Sequence, residues 1–214
     1  MALKYQRILL KISGEALGGE KGTGFDEPTM DAICGGVKKA HDLGVQIGIV
    51  VGGGNFWRGR SSGKMERTLA DKIGMLATVM NALAVSDKLE QLGVPTEVFT
   101  SITMPQVAQP FTRKDALRAM DEGKIAVFGG GTGNPFFSTD TATALRAVEV
   151  PIKRSSFFSI SRTSCCFPFI NTISHAITNT TVVRIAVPRF ESIPEIPIFP
   201  RMAVRLAKTA DSTA

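Results

Sequence analysis

Short apolar runs alternate with longer segments of helical character along the first 150 residues. The apolar runs predict strands buried on both faces of a sheet. They cover residues 7–12, 45–51, 96–99 and 124–128. The segments between them have apolar residues every three or four positions, or residues that cap helices, and predict helices. They cover residues 26–43, 67–92, 113–121 and 138–148. This alternation predicts an α/β domain with a mainly parallel sheet.

Glycines and capping residues mark where the predicted helices begin and end. Asp26 and Pro28 supply a capping carboxylate and a proline for a first turn. Gly44, Gly93 and Gly123 stand within two residues of the ends of predicted helices, where glycine commonly ends a helix. In parallel α/β sheets, ligands bind beyond the carboxyl ends of the strands. The loops that follow the predicted strands are therefore the candidate site, and they comprise residues 11–15, 52–55 and 129–140.

Two glycine clusters stand in these loops, in VVGGGNFWRG at 50–59 and VFGGGTGNPFFSTD at 127–140. Glycine lets backbone N–H groups approach an anion closely, and helix N-termini add a field that favours phosphate. Lys11 stands at the end of the first predicted strand, facing both loops. Phosphoryl transfer needs mainly alignment and neutralisation of charge. A lysine, two rows of backbone N–H donors and Mg²⁺ suit that chemistry.

Several common phosphate-binding motifs fail when tested against these loops. A dinucleotide fingerprint needs a glycine where the chain has Trp57 or Asn134. The segment GRSSGKM at 59–65 is one residue short of a P-loop and ends in methionine. The H-R-D signature of protein kinases is also missing from the sequence. The chain is therefore predicted not to be a standard dinucleotide binder, P-loop enzyme or protein kinase.

Composition narrows the class of protein further. The hydrophobic content is 43%, and no uninterrupted apolar run approaches the roughly 18 residues of a membrane span. The N-terminus lacks the pattern of a signal peptide, and three cysteines fit a reducing cytosol. Cys165, Cys166 and His175 lack the spacing of a closed zinc site, so we predict no metal site. Basic residues are not interleaved with aromatic ones, which argues against a nucleic-acid partner.

A change in composition near residue 150 predicts two parts, 1–150 and 151–214. The second part contains none of the 21 glycines and six of the 11 prolines. It also holds eight Lys and Arg against three Asp and Glu, and so carries most of the net charge of +6. Residues 180–187 could form a strand, whereas the proline-rich segment 193–200 could not form a regular helix.

Four motifs together resemble the bacterial uridylate (UMP) kinases of the amino-acid-kinase superfamily. They are KISGEALGG, VVGGGNFWRG, DKIGMLATVMNALA and GGTGNPFFSTDTATALRAVE, and the resemblance runs over residues 4–149. TGNPFFSTD is specific to uridylate kinases within the superfamily. The resemblance implies a three-layer sandwich around a mainly parallel sheet. It also implies a cytoplasmic homohexamer that phosphorylates UMP to UDP with ATP and Mg²⁺, activated by GTP and inhibited by UTP.

The resemblance also implies roles for individual residues. Lys11 would stabilise the transferring phosphoryl group. The ATP side would comprise Lys11, Ser13, Gly14, Gly54 and Arg58. The UMP side would comprise Gly53, Asp71, Thr132, Asn134 and Thr139. A segment associated with GTP activation would comprise Gly19, Glu20, Gly22 and Gly24. Taken singly, Asp140 is typical of a charge at a helix N-terminus, and Phe56 and Trp57 are typical of packing residues.

The resemblance stops after Glu149. The family continues through a loop resembling K-x-x-x-V-D-G-V-Y and a later helix with V-M-D, which supply the nucleoside pocket of ATP and a second lysine. Residues 151–214 have neither pattern. We interpret them as a frameshifted or chimeric sequence, atypical or disordered in structure, with a genuine divergent domain as the alternative. The functional alternatives are an active uridylate kinase and an inactive UMP-binding or oligomerising remnant. A related kinase with a carboxylate or carbamate acceptor is a weaker third, since it would not need TGNPFFSTD.

Overall fold

The computed structural model describes residues 5–58 and 63–151, and the backbone of residues 157–160. These residues belong to one compact unit, Met1–Val183. Six strands form a parallel sheet in the order β4-β3-β5-β2-β1-β6. The strands are β1 (Arg7–Ile12), β2 (Gln46–Val51), β3 (Thr96–Thr100), β4 (Gln109–Pro110), β5 (Ile125–Gly129) and β6 (Phe157–Ile160). The helices are α1 (Gly14–Leu17), α2 (Glu27–Asp42), α3 (Arg67–Gln91), α4 (Arg113–Asp121) and α5 (Thr139–Glu149), with a 3₁₀ turn at Gly19–Lys21.

The predicted α/β fold is confirmed, and each strand and helix predicted within the first 150 residues is present with ends displaced by at most one residue. The residues predicted to cap or end helices have these roles in the structure. The Asp26 carboxylate accepts a hydrogen bond from the Thr29 N–H and caps α2. Gly44, Gly93 and Gly123 have left-handed φ angles of 85°, 79° and 82°, which end three helices at low steric cost.

Helices cover both faces of the sheet. Successive strand residues point to opposite faces, so neighbouring residues of one strand pack against helices on different sides. On one face, Phe128 packs in a cluster with Ala119 and Met120 of α4. On the other face, a Cβ at the neighbouring Gly129 would lie 3.3 Å from that of Ala82 in α3. The result is a three-layer arrangement of helices, sheet and helices.

Helix α3 is long and apolar enough to cross a membrane by length and composition alone. Its buried residues nevertheless pack within the domain, where the helix contacts β3, β5 and α2. Lys88 joins α3 to α2 through ion pairs of 2.9 Å with both Glu27 and Asp31. The opposite side of α3 is apolar and exposed at Leu69, Leu76, Met80 and Leu83.

Strand β6 lies beyond the predicted change at residue 150. It pairs in parallel with β1, with Lys11 in register with Ser159. The division into 1–150 and 151–214 stays a prediction. The predicted strand at 180–187, the proline-rich segment 193–200, and Cys165, Cys166 and His175 all lie outside the described residues.

Candidate functional site

A cavity of about 140 Å³ opens where β2 and β5 end. The loops after these strands form its walls together with the first half of α3 and the start of α5. It is lined by Gly53, Trp57, Asp71, Gly74, Met75, Thr78, Gly131, Thr132, Asn134, Phe137 and Thr139. All five residues predicted for the UMP side are among them. The sequence had placed them on three separate elements, and the fold brings them to one cavity.

The glycine loop at 52–54 packs directly against α1 and α3. A Cβ at Gly53 would lie 2.8 Å from the Gly74 carbonyl oxygen in α3. A Cβ at Gly14 would lie 2.5 Å from both the Gly54 nitrogen and Asn55 Oδ1. Such separations are too short for any side chain, so glycine is required here for contact between the loop, α1 and α3. Gly54 is less crowded, since a Cβ there would have its nearest neighbour at 3.5 Å.

Asp71 joins the start of α3 to the loop that follows β5. Its two carboxylate oxygens share the single Arg67 Nε–H, at N···O distances of 2.8 and 2.9 Å, and one of them also accepts from the Phe136 N–H at 2.8 Å. Burial acts to raise the pKa of Asp71, but the bonds from Arg67 and Phe136 and the charge of Arg67 outweigh it and lower that pKa. Asp71 is therefore a carboxylate at neutral pH, suited to accept hydrogen bonds from hydroxyl groups.

Phe136 is held in a backbone conformation that phenylalanine rarely adopts. Its φ is 70°, the one positive value outside glycine among the described residues. Phe136 is 65% exposed, and its ring centroid lies 5.5 Å from the Arg67 guanidinium carbon. The bond from its N–H to Asp71 opposes the strain. The turn carries the adjacent Phe137 into the cavity wall.

The residues predicted for the ATP side lie near β1 and α1 and do not line the cavity. Lys11 Nζ is 3.1 Å from Asp140 Oδ1 in the first turn of α5. Ser13 caps α1 by accepting a hydrogen bond from the Ala16 N–H. Arg58 forms an ion pair with Glu15 beside Gly54. Because Asp140 follows the cavity residue Thr139, the Lys11 ammonium group is fixed at the same edge of the sheet as the cavity.

The predicted GTP-associated residues form a compact turn before α2. Gly19 begins the 3₁₀ turn, and Gly22 and Gly24 have left-handed φ angles of 68° and 66°. Gly24 exchanges hydrogen bonds with Asn55, whose backbone oxygen accepts from the Gly24 N–H and whose side chain donates to the Gly24 oxygen. The segment therefore lies against the glycine loop.

The hydroxyl groups of Thr78 and Ser101 hold the glycine loop at 129–133. Thr78 Oγ1 accepts a hydrogen bond of 2.7 Å from the Gly130 N–H. Ser101 Oγ donates to the Gly131 oxygen at 2.9 Å and accepts from the buried Arg146 at 2.8 Å. The loop that carries Thr132 and Asn134 is thus anchored to α3 and to α5.

Sequence reasoning missed several residues of the site. Trp57 was interpreted as packing; it donates from Nε1 to the Ala70 oxygen and also lines the cavity. Met75 and Thr78 have the helical spacing of core residues, and only their spacing from Asp71 on one face of α3 could have indicated them. Asp140 does lie in the first helical turn, as expected, but its partner Lys11 could not be read from the sequence.

Comparison with known proteins places this geometry in a family. The profile of the amino acid kinase family matches residues 6–159. The chain belongs to the amino acid kinase family. Within it, the chain is 55% identical over 150 residues to the uridylate kinases of Limosilactobacillus reuteri and Pediococcus pentosaceus, covering 69% of this chain and 62% of each relative. The chain therefore spans somewhat less than two thirds of these relatives' length.

Solved structures show the same likeness. UMP kinase from Bacillus anthracis superposes with a TM-score of 0.69 at 35% identity, over 73% of this chain and 65% of that one. UMP kinase from Ureaplasma parvum gives a TM-score of 0.68 at 32% identity, over 74% and 70% of the two chains. The predicted resemblance is confirmed.

Proposed function

We propose that this chain is a UMP kinase, which transfers the γ-phosphoryl group of ATP to UMP and yields UDP and ADP. The observation that carries the proposal is the cavity, because all five residues expected on the UMP side line it. The likeness to uridylate kinases over 150 residues supports the same substrate. The proposal places the enzyme in cytoplasmic pyrimidine nucleotide biosynthesis.

In the proposed reaction, an oxygen of the UMP phosphate bonds to the γ-phosphorus of ATP. The bond from that phosphorus to the β–γ bridging oxygen breaks, and ADP leaves with the electron pair. Lys11 neutralises charge on the moving group, and Asp140 orients the lysine at 3.1 Å. Asp71 accepts hydrogen bonds from the sugar hydroxyls of UMP. Gly53, Thr132, Asn134 and Thr139 surround its remaining groups.

Mg²⁺ enters this reaction with ATP, as part of the nucleotide substrate. No group of three or more His, Cys, Asp or Glu that could hold a metal ion occurs within residues 5–58, 63–151 and 157–160. The phosphate oxygens of ATP are themselves ligands that Mg²⁺ prefers. Ser13, Gly14, Gly54 and Arg58 are proposed to hold the ATP phosphates beside Lys11.

An oligomer is part of the proposal. The exposed apolar side of α3, with Leu76 at its centre, is suited to pack against a second copy of the chain. A homohexamer regulated by GTP at residues 19–24 and by UTP is proposed on the family resemblance.

A second candidate is a UMP-binding or oligomerising protein without phosphoryl transfer. It is favoured by one observation: the match to the uridylate kinases extends over 150 residues only. In this case the cavity would take up UMP while no ATP nucleoside site is completed.

A coupled assay of UDP formation from ATP, Mg²⁺ and UMP tests the two candidates. Lys11→Ala should lower the rate by at least about 100-fold while UMP binding, measured by calorimetry, is retained. Lys39→Ala, at an exposed lysine of α2, is the matched control and should leave the rate unchanged. UMP binding without turnover of the unaltered chain would favour the second candidate. Failure to bind UMP would contradict the kinase and the UMP-binding form of the second candidate, and would leave only an oligomerising protein.

A further inference from the structure

Two asparagines outside the predicted substrate sets form a buried pair. Asn55 follows the glycine loop, and Asn81 lies in α3. Asn81 Nδ2 donates to Asn55 Oδ1 at 2.7 Å, and Asn55 Nδ2 donates to Asn81 Oδ1 at 3.1 Å. The two residues are 4% and 0% exposed. Since a buried amide destabilises the fold unless its hydrogen bonds are made, this pair fixes the relative position of the loop and the helix.

The same amides also bond to two backbone segments. Asn81 Nδ2 donates to the Gly52 oxygen at 2.5 Å. Asn55 Nδ2 donates to the Gly24 oxygen at 2.8 Å, and the Gly24 N–H donates back to the Asn55 oxygen at 3.1 Å. The pair therefore joins α3, the glycine loop and segment 19–24 in one hydrogen-bonded network.

Two further contacts strengthen this connection. The rings of Phe25 and Phe56 meet edge to face, with centroids 5.1 Å apart, beside the Gly24–Asn55 bonds. The missing side chain of Gly14 leaves room for Asn55 Oδ1, which would lie 2.5 Å from a Cβ there. The Asn55 side chain is thus confined by α1 on one side and by Asn81 on the other.

We propose that Asn55 and Asn81 are positioning residues that set the glycine loop against α3 and couple it to segment 19–24. A displacement of segment 19–24 removes the two hydrogen bonds between Gly24 and Asn55 and loosens the contact of Asn55 with Asn81. The loop then shifts at Gly53, which lines the cavity. The value of this coupling for catalysis rests on the proposed function, whereas the coupling itself does not require any substrate.

Amide hydrogen exchange, measured by NMR on the full chain without ligand, tests the coupling. The side-chain hydrogen bonds of Asn81 go to Gly52 and Asn55, outside segment 19–24, yet Asn81→Ala should make the Gly24 amide exchange about tenfold faster through Asn55. Rates are compared with those of amides in β5, which report on global opening. Ser86→Ala is the matched control. Ser86 is also buried in α3 and hydrogen-bonds to Thr96, away from the glycine loop. The Ser86→Ala substitution should leave the exchange rate of the Gly24 amide unchanged relative to the amides of β5.

An unchanged Gly24 rate in Asn81→Ala, or equal acceleration in Ser86→Ala, would overturn the proposal. If Asn81→Ala does not fold, amide exchange of the unaltered chain, measured at low denaturant concentrations, tests the coupling instead. The Gly24 and Gly52 amides, bonded to Asn55 and Ile12 respectively, should open with one free energy and one denaturant dependence. Separate openings would overturn the coupling. Absence of UDP formation would count against the proposed function and leave these outcomes intact.

Discussion

At the scale of single residues, Asp71 combines charge, burial and strain. Its carboxylate is shared between Arg67 and the N–H of Phe136, whose φ of 70° requires compensation. The folded pKa lies below the ordinary value of 3.8. The stability that the ionised carboxylate contributes is therefore present above that value and is lost as the pH falls through the folded pKa. A ligand hydroxyl that approaches Asp71 finds an acceptor already ionised and oriented.

Asp71→Asn should weaken UMP binding about tenfold, because a neutral amide accepts hydrogen bonds from hydroxyls less strongly than a carboxylate. Titration calorimetry with UMP measures the change. Asp87→Asn makes the same substitution on an exposed part of α3, outside the cavity, and should leave the affinity unaltered. Equal affinity of the Asp71 variant and the unaltered chain would remove Asp71 from the proposed UMP side.

At the scale of elements, α3 organises the site. Its inner face packs on the sheet, its first half lines the cavity through Asp71, Met75 and Thr78, and its outer face is apolar and exposed. Leu76 is 48% exposed and lies between Met75 and Thr78, which line the cavity. Contacts made on the outer face therefore act on the same helix that carries cavity residues.

Leu76→Glu should shift the chain towards the monomer, because a charge in an apolar interface is desolvated without a partner. Sedimentation or light scattering measures the assembly at several concentrations. Leu145→Glu, at a similarly exposed leucine of α5, is the matched control and should leave the assembly intact. A mass that stays unchanged in the Leu76 variant would exclude this face as the interface.

The elements were predictable from the sequence where local and tertiary signals agree. The Asp26 cap and the glycines at 44, 93 and 123 stand at the ends of the segments predicted to be helical. The two signals together locate the helix ends to within a residue. Strand β4 has only two residues, both exposed, and α1 spans one turn, so neither has a period to detect. The ion pair between Lys11 and Asp140 depends on which strands and helices are neighbours in the fold, and no local sequence pattern gives that arrangement.

At the scale of the whole molecule, β1 lies between β2 and β6. It holds Lys11, which is in register with Val50 on one side and Ser159 on the other. Strand β6 thus encloses the strand that carries the proposed catalytic lysine. Because β6 follows the change in composition at residue 150, its pairing tests how far the family fold extends along the chain.

Proline substitution in β6 measures this pairing. Successive N–H groups of a strand point to opposite sides, so one of Phe158 and Ser159 donates towards β1. Proline at that position should lower the melting temperature by at least about 2–4 °C, since one ladder hydrogen bond is lost. Alanine at each position is the control for the side chain. If both proline variants have the same melting temperature as their alanine counterparts, β6 does not contribute to the stability of the sheet.

The three glycine turns at 44, 93 and 123 lie at the amino ends of β2, β3 and β5, opposite the edge that carries the cavity. A Cβ at any of them would meet nothing within 4 Å. The described sheet therefore has the cavity at the carboxyl ends of its strands and open glycine turns at their amino ends. A tether, dye or affinity handle attached beside Gly44 or Gly93, with the glycine and its left-handed φ kept, would hold the described domain on a support with its cavity turned towards the solution.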